Sequence, residues 1–204
     1  MNKFSSLVAI AVTLWSVLAS VHAAAQEEEH AFAGNSQCKL CHNKPAEGAQ
    51  WAVWKKMTHA KAFEVLSGEQ AVAIGKELGL EKPPSESASC LKCHVTGYDE
   101  KTEAVPAKIK MADGVQCDSC HGPSAAHLVD GKAIRMKKAK DLDILANIVR
   151  PDGKTCVKCH NEENPTWDPA RYKLENGETS GFDFKQAYKK IEHPNPKKAF
   201  GKKK

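Results

Sequence analysis

The chain has 204 residues, 27% of them charged and only 6% aromatic, with 30 Lys and Arg against 25 Asp and Glu for a formal charge of +5. A mean hydropathy of −0.50 leaves too little apolar side chain for a large conventional core. Basic residues scattered among acidic ones, with no recognition motif, exclude nucleic-acid binding.

Met1-Asn2-Lys3, an apolar run from Leu7 to Leu18 and small residues at 20–25 read as a secretory signal peptide over 1–23, with cleavage as late as 25. The run is too short to span a bilayer comfortably, so no integral membrane segment is expected after cleavage. The mature chain, 24–204, is expected to be a single periplasmic or extracellular domain. Helical periodicity over 46–66 places Trp51, Trp54, Thr58, Ala62 and Val65 near one face, and a second helix is predicted over 69–80. Lys82-Pro83-Pro84-Ser85 breaks the pattern, and 95–114, with Gly97, Pro106 and Gly114, reads as irregular or a short hairpin. Gly122-Pro123-Ser124 turns the chain into a short helix over 125–129 carrying His127. Another helix is predicted over 137–149, closed by Arg150-Pro151-Asp152-Gly153. A loop over 164–169 precedes a terminal helix over 182–192, which Pro194 and Pro196 stop just after His193. The lysines at 197, 198 and 202–204 form a flexible basic tail, with docking to an acidic redox partner as the functional alternative to simple solvation. No fixed-period repeat is present, which argues against a solenoid.

Four copies of Cys-x-x-Cys-His organise this pattern: Cys38–Cys41–His42, Cys90–Cys93–His94, Cys117–Cys120–His121 and Cys156–Cys159–His160. They use all eight cysteines. Zinc ribbons and a disulfide-rich secreted domain are the competing readings of paired cysteines, but neither requires a histidine after every pair. Covalent c-type haem attachment does: two thiols form thioethers to one porphyrin and the adjoining imidazole ligates its iron. The expected cofactors are therefore four haem c, with His42, His94, His121 and His160 as proximal iron ligands. Porphyrin faces would supply the apolar interior the composition lacks, and the chain without them is expected to be largely unfolded.

His30, His59, His127 and His193 remain as candidate distal ligands, since His22 leaves with the signal. Met57, Met111 and Met136 are the rival ligands and are read as packing residues. Mostly bis-His coordination is expected, with lower potentials than a Met ligand would give.

Beyond the motifs themselves, Trp54 with His59-Ala60-Lys61-Ala62, then His94-Val95-Thr96-Gly97-Tyr98, and Gly114-Val115-Gln116 leading to His121-Gly122-Pro123 and His127, resemble the cytochrome c-554 family. The resemblance runs from about residue 34 to residue 193. It implies a tetrahaem electron carrier of the kind that accepts electrons from hydroxylamine oxidoreductase in ammonia-oxidising bacteria. It further implies that His127 completes the first haem opposite His42, His193 the third opposite His121, and His59 the fourth opposite His160. The second haem, on His94, is then five-coordinate, and in the family that open iron is linked to small nitrogen oxides; His30 ligating the His94 iron within the chain is the alternative.

The expected fold is mainly α with extensive irregular structure, a multihaem c-type cytochrome whose four covalent haems form much of the core. The expected function is electron transfer between redox partner proteins, with no catalytic side chain. Two alternatives stand beside it: a reductase of nitric oxide or a related small nitrogen compound at the second haem, and a subunit of an extracellular conductive filament in which His30 ligates iron in a neighbouring copy. The protein is accordingly expected to be a monomer or, on the last reading, a homopolymer.

Overall fold

A computed structural model describes residues 31–139 and 142–195. The segment expected to be a signal peptide, His30 and the lysines at 197, 198 and 202–204 lie outside them. The helices in chain order are α1 (Asn35–His42), α2 (Gln50–Trp54), α3 (Glu69–Glu77), α4 (Ala88–His94), α5 (Cys117–His121), α6 (Ala125–Arg135), α7 (Gly153–Cys156) and α8 (Phe184–Ile191). A two-stranded antiparallel hairpin, β1 (Tyr172–Lys173) and β2 (Thr179–Ser180), pairs Tyr172 with Ser180 and Lys173 with Thr179. Long irregular stretches join these elements, so the described chain is mainly helical with little strand. Among the described residues no helix is long and apolar enough to cross a membrane.

The helix expected over 46–66 is broken. Gly48 and Ala49 take positive φ, α2 covers only five residues, and Met57 is extended before two single 3-10 turns at Thr58–Lys61 and Glu64–Ser67. Tertiary hydrogen bonds explain the break. The Trp54 indole N–H donates to the Val115 carbonyl at 2.9 Å, and the Val115 N–H donates to the His59 carbonyl at 3.0 Å. Five residues apart on an unbroken helix, positions 54 and 59 would point about 140° apart and could not both reach residue 115.

Helix α3 forms where periodicity places it. Gly79, at φ 66°, ends it: the Leu80 N–H reaches the Gly75 carbonyl at 2.9 Å and the Gly79 N–H reaches Lys76 at 3.1 Å, a Schellman closure. The 95–114 segment is irregular apart from one bridge between Asp99 and Ala104 and a 3-10 turn at Met111–Asp113. Helix α6 runs past the expected 125–129 to Arg135. No helix forms over the described part of 137–149; Lys137 is left-handed at φ 56° and the rest is turn and coil. Its carbonyls serve side chains instead, because His127 Nδ1 donates to Ile144 O at 2.8 Å and His121 Nδ1 donates to Val149 O at 2.9 Å. The terminal helix forms as α8, with the Asp183 carboxylate capping the Gln186 N–H at 2.8 Å.

The side-chain interior is small. Among the described residues the buried hydrophobics are Ala33, Leu66, Leu91, Val95, Ile109, Ala125 and Ile144, and only Leu66, Leu91 and Val95 form a cluster. Eleven large hydrophobics among the described residues are exposed instead, including Leu40 at 62% and Val129 at 65%. Each such side chain forgoes about 1.5–3 kcal/mol of burial, so a chain folded this way needs further apolar surface to lie against.

Six polar side chains are buried in their place: Asn35, Ser87, Thr96, Gln116, Asp118 and Ser124. Gln116 Oε1 accepts from the Asn35 N–H at 3.1 Å, the Asn35 side-chain oxygen accepts from the Cys117 N–H at 3.4 Å, and Thr96 Oγ1 accepts from the Gln116 N–H at 2.6 Å. These bonds tie the first three Cys-x-x-Cys-His motifs together through polar rather than apolar contact.

Candidate haem-binding centre

Each motif closes a short helix. His42, His94 and His121 are the last residues of α1, α4 and α5, and in the fourth motif the His160 N–H returns to the Cys156 carbonyl at 3.0 Å just beyond α7. The i, i+3, i+4 spacing places both cysteines and the histidine on one face of a helical turn. All eight cysteines are unpaired and half-buried. Among the described residues no group of three or more Cys, His, Asp or Glu converges to hold a metal ion, the arrangement zinc would need.

The motif histidines meet partners from distant segments. The His42 and His127 rings lie 6.1 Å apart between centroids with planes 22° from parallel. His121 and His193 lie 5.8 Å apart at 45°, and His59 and His160 lie 5.9 Å apart at 88°. Two metal–imidazole bonds of about 2 Å, plus about 1 Å from each ring nitrogen to its ring centre, set trans imidazole centroids about 6 Å apart. Among the described residues no second imidazole ring faces His94. Met111 packs against the Leu66–Leu91–Val95 cluster.

Four of these rings are held by their other nitrogens. His121 and His127 donate Nδ1–H to the carbonyls already described, His94 donates to Ala62 O, and His42 donates to the Gln50 side-chain oxygen at 3.3 Å. Such bonds fix the tautomer with Nε2 free for iron. Burial pushes His42, His59, His160 and His193 below the ordinary imidazole range and so favours the neutral, ligating form. His193 Nδ1 is buried without a partner.

Gln50, which the sequence reading passed over, also donates from Nε2 to Glu47 O at 2.6 Å and to Pro194 O at 3.0 Å. It thereby joins the His42 ring to the residue after His193. Gln50→Leu is expected to leave the half-buried His42 N–H unpaired and to destabilise the protein by about 1 kcal/mol. Thermal unfolding of the haem-loaded variant checks this; an unchanged midpoint would refute it.

The four sites adjoin in a definite order. The Cys38 and Cys117 thiols hydrogen-bond to each other, which lowers Cys38 and, together with burial, raises Cys117. Cys93 bonds likewise to Cys159 and falls to about 7. Burial raises Cys120, and proximity to Cys156 adds to the rise. Motif one therefore neighbours three, three neighbours four, and four neighbours two. Beside His160 opens a cleft of about 470 Å³ walled by Val157, Trp167 and Phe182, with Phe182 stacked on the His160 ring at 5.8 Å.

The family model described as cytochrome c554 and c-prime matches residues 37–122, which hold the first three motifs. A cytochrome c-554 of Nitrosomonas europaea is 30% identical over 152 residues, covering 69% of this chain and 62% of that protein. Over these residues the chain is similar to the cytochrome c-554 family. That similarity implies covalent haem c with its iron, and the residues fit that group: thiols in pairs, imidazoles with Nε2 free, and apolar side chains left uncovered. No solved structure matches the chain. The fourth motif lies outside the family-model match, and the chain spans less than two thirds of the relative's length.

Proposed function

We propose that the protein is an exported tetrahaem electron carrier, with one haem c on each Cys-x-x-Cys-His motif and bis-imidazole ligation at three of them. His42 and His127 hold the first, His121 and His193 the third, and His160 and His59 the fourth. The three cross-chain imidazole pairs at 5.8–6.1 Å carry this reading. Haem c, when bound, supplies reversible one-electron chemistry at potentials that two imidazoles keep below those of His/Met sites. The residues contribute attachment, ligand orientation through Nδ1, and a row of sites in the order one, three, four, two, which suits transfer between redox partners at its two ends. The signal-like segment at 1–23 supports a periplasmic or extracellular location.

Two measurements test the reading. The denatured, exported protein should carry the added mass of four haems; fewer refutes the count. Axial ring planes govern the anisotropy of low-spin ferric resonance, so the near-perpendicular His59–His160 pair is expected to give a strongly anisotropic signal and the near-parallel His42–His127 pair a rhombic one. Identical signals from the two sites would overturn their assignment.

A second reading has its own support. No imidazole faces His94 among the described residues, so unless His30, which lies outside them, ligates the second haem, that iron is open to a small nitrogen oxide. A high-spin component that changes on adding nitric oxide would favour it, and wholly low-spin iron would remove it.

A further inference from the structure

Asp118 stands in the second position of the third motif, where haem attachment makes no demand on the side chain. It is 2% exposed. Its Oδ1 accepts from the Ala33 N–H at 3.2 Å, the Ser124 N–H at 3.1 Å and the Ser124 hydroxyl at 2.6 Å, while Oδ2 accepts from the Gly34 N–H at 2.9 Å. Ala33 and Gly34 lead straight into α1, which ends on His42. Ser124 leads into α6, whose third residue is His127. One carboxylate therefore grips the starts of both helices that present the facing imidazoles of the first site. A backbone bond from the Ala125 N–H to the Ala31 carbonyl at 3.0 Å runs alongside the same junction.

We propose, building on the bis-imidazole assignment above, that Asp118 is the positioning residue of the first haem: from inside the third attachment motif it fixes the separation of His42 and His127. The first and third sites then assemble as one unit. The side chain must accept on both oxygens to do this. An asparagine turns one acceptor into a donor aimed at a buried N–H, and no rotation of the amide removes the conflict, because both oxygens are engaged. Helices α1 and α6 would then loosen at the point where they are joined, and the distal imidazole, carried on the shorter tether from Ser124, would lose its fixed distance from His42. The effect should stay local, since none of these bonds reaches the segments that hold His59 or His160.

The test compares haem-loaded D118N with haem-loaded H127A by ferric resonance and absorption spectroscopy. H127A defines the first-site signal by removing it. D118N is expected to keep its covalent haems yet convert up to about a third of the low-spin intensity, one haem's share of the three bis-imidazole sites, to high-spin. Added imidazole should restore that fraction, while the His59–His160 signal stays unchanged. Low-spin first-site iron in D118N, indifferent to imidazole, would overturn the role of Asp118 while leaving the ligand assignment intact. If H127A itself loses no low-spin signal, the ligand assignment fails and the role of Asp118 fails with it. Should D118N not accumulate, S124A decides, since it removes one donor and keeps the carboxylate. A partial, imidazole-reversible loss at the first site supports the proposal, and no change overturns it.

Discussion

Replacing Gly114 with alanine is expected to prevent accumulation of the haem-loaded protein, or to leave it with a fourth site that has lost its distal ligand. Gly114 has φ 60° and ψ −133°, a region open essentially to glycine. A β-carbon there would lie 2.7 Å from the His59 carbonyl oxygen, 3.0 Å from the Ala62 nitrogen and 3.3 Å from the Phe63 nitrogen. All three are backbone atoms of the loop that presents His59, so no side-chain rotation relieves the clash. Backbone strain alone costs about 1–3 kcal/mol, and the clash adds to it, against a total stability for domains of about 5–15 kcal/mol. The same loop supplies the Ala62 carbonyl that receives His94 Nδ1, so the second and fourth sites should suffer together. Yield of covalently loaded protein and the low-spin signal of the His59–His160 pair measure the outcome. A variant with ordinary yield and an unchanged signal would show that the loop is not pinned as described.

The second large effect is expected from removing a distal imidazole. His59→Ala, His127→Ala and His193→Ala should each turn one haem from low-spin to high-spin and open it to added imidazole or carbon monoxide. Each should also lower stability, because an iron-bridged pair cross-links segments roughly 70 to 100 residues apart in sequence. By analogy with disulfides closing loops of that length, the lost constraint is worth about 4–5 kcal/mol. Heat or denaturant unfolding of the three variants measures it. His30→Ala serves as the comparison: on the three-pair assignment it leaves the first, third and fourth haems low-spin. A distal variant that keeps all its low-spin signals would remove that histidine from the proposed ligand set.

The attachment motifs were legible because their chemistry has a fixed local spacing: two thiols and an imidazole on one helical turn need nothing from elsewhere in the chain. Helix α3 and helix α8 were legible for a related reason, as periodicity and end signals lie within each segment. What could not be read locally is where tertiary partners take over backbone groups. The 46–66 periodicity is genuine, yet Val115 draws on the Trp54 indole and the His59 carbonyl and folds the segment into turns. Over 137–149, carbonyls that would have closed a helix accept from His121 and His127 instead. The buried polar set of Asn35, Thr96, Gln116, Asp118 and Ser124 gave no periodic or motif signal, since each lies between or beside residues chosen for attachment. The hairpin is a different kind of omission. Asn176-Gly177, with Gly177 at φ 88°, lies in the loop between Tyr172-Lys173 and Thr179-Ser180, and that turn signal could have been found.

An interior with seven buried hydrophobic residues among those described, only three of them clustered, gives a newly made chain little to collapse around. Pigment loading then decides survival as well as function, because an unloaded chain stays open to proteases that a loaded one excludes. Abundance of this polypeptide should consequently follow the cell's iron supply even at constant transcription, and a starved culture should be depleted of the protein rather than filled with a colourless form of it.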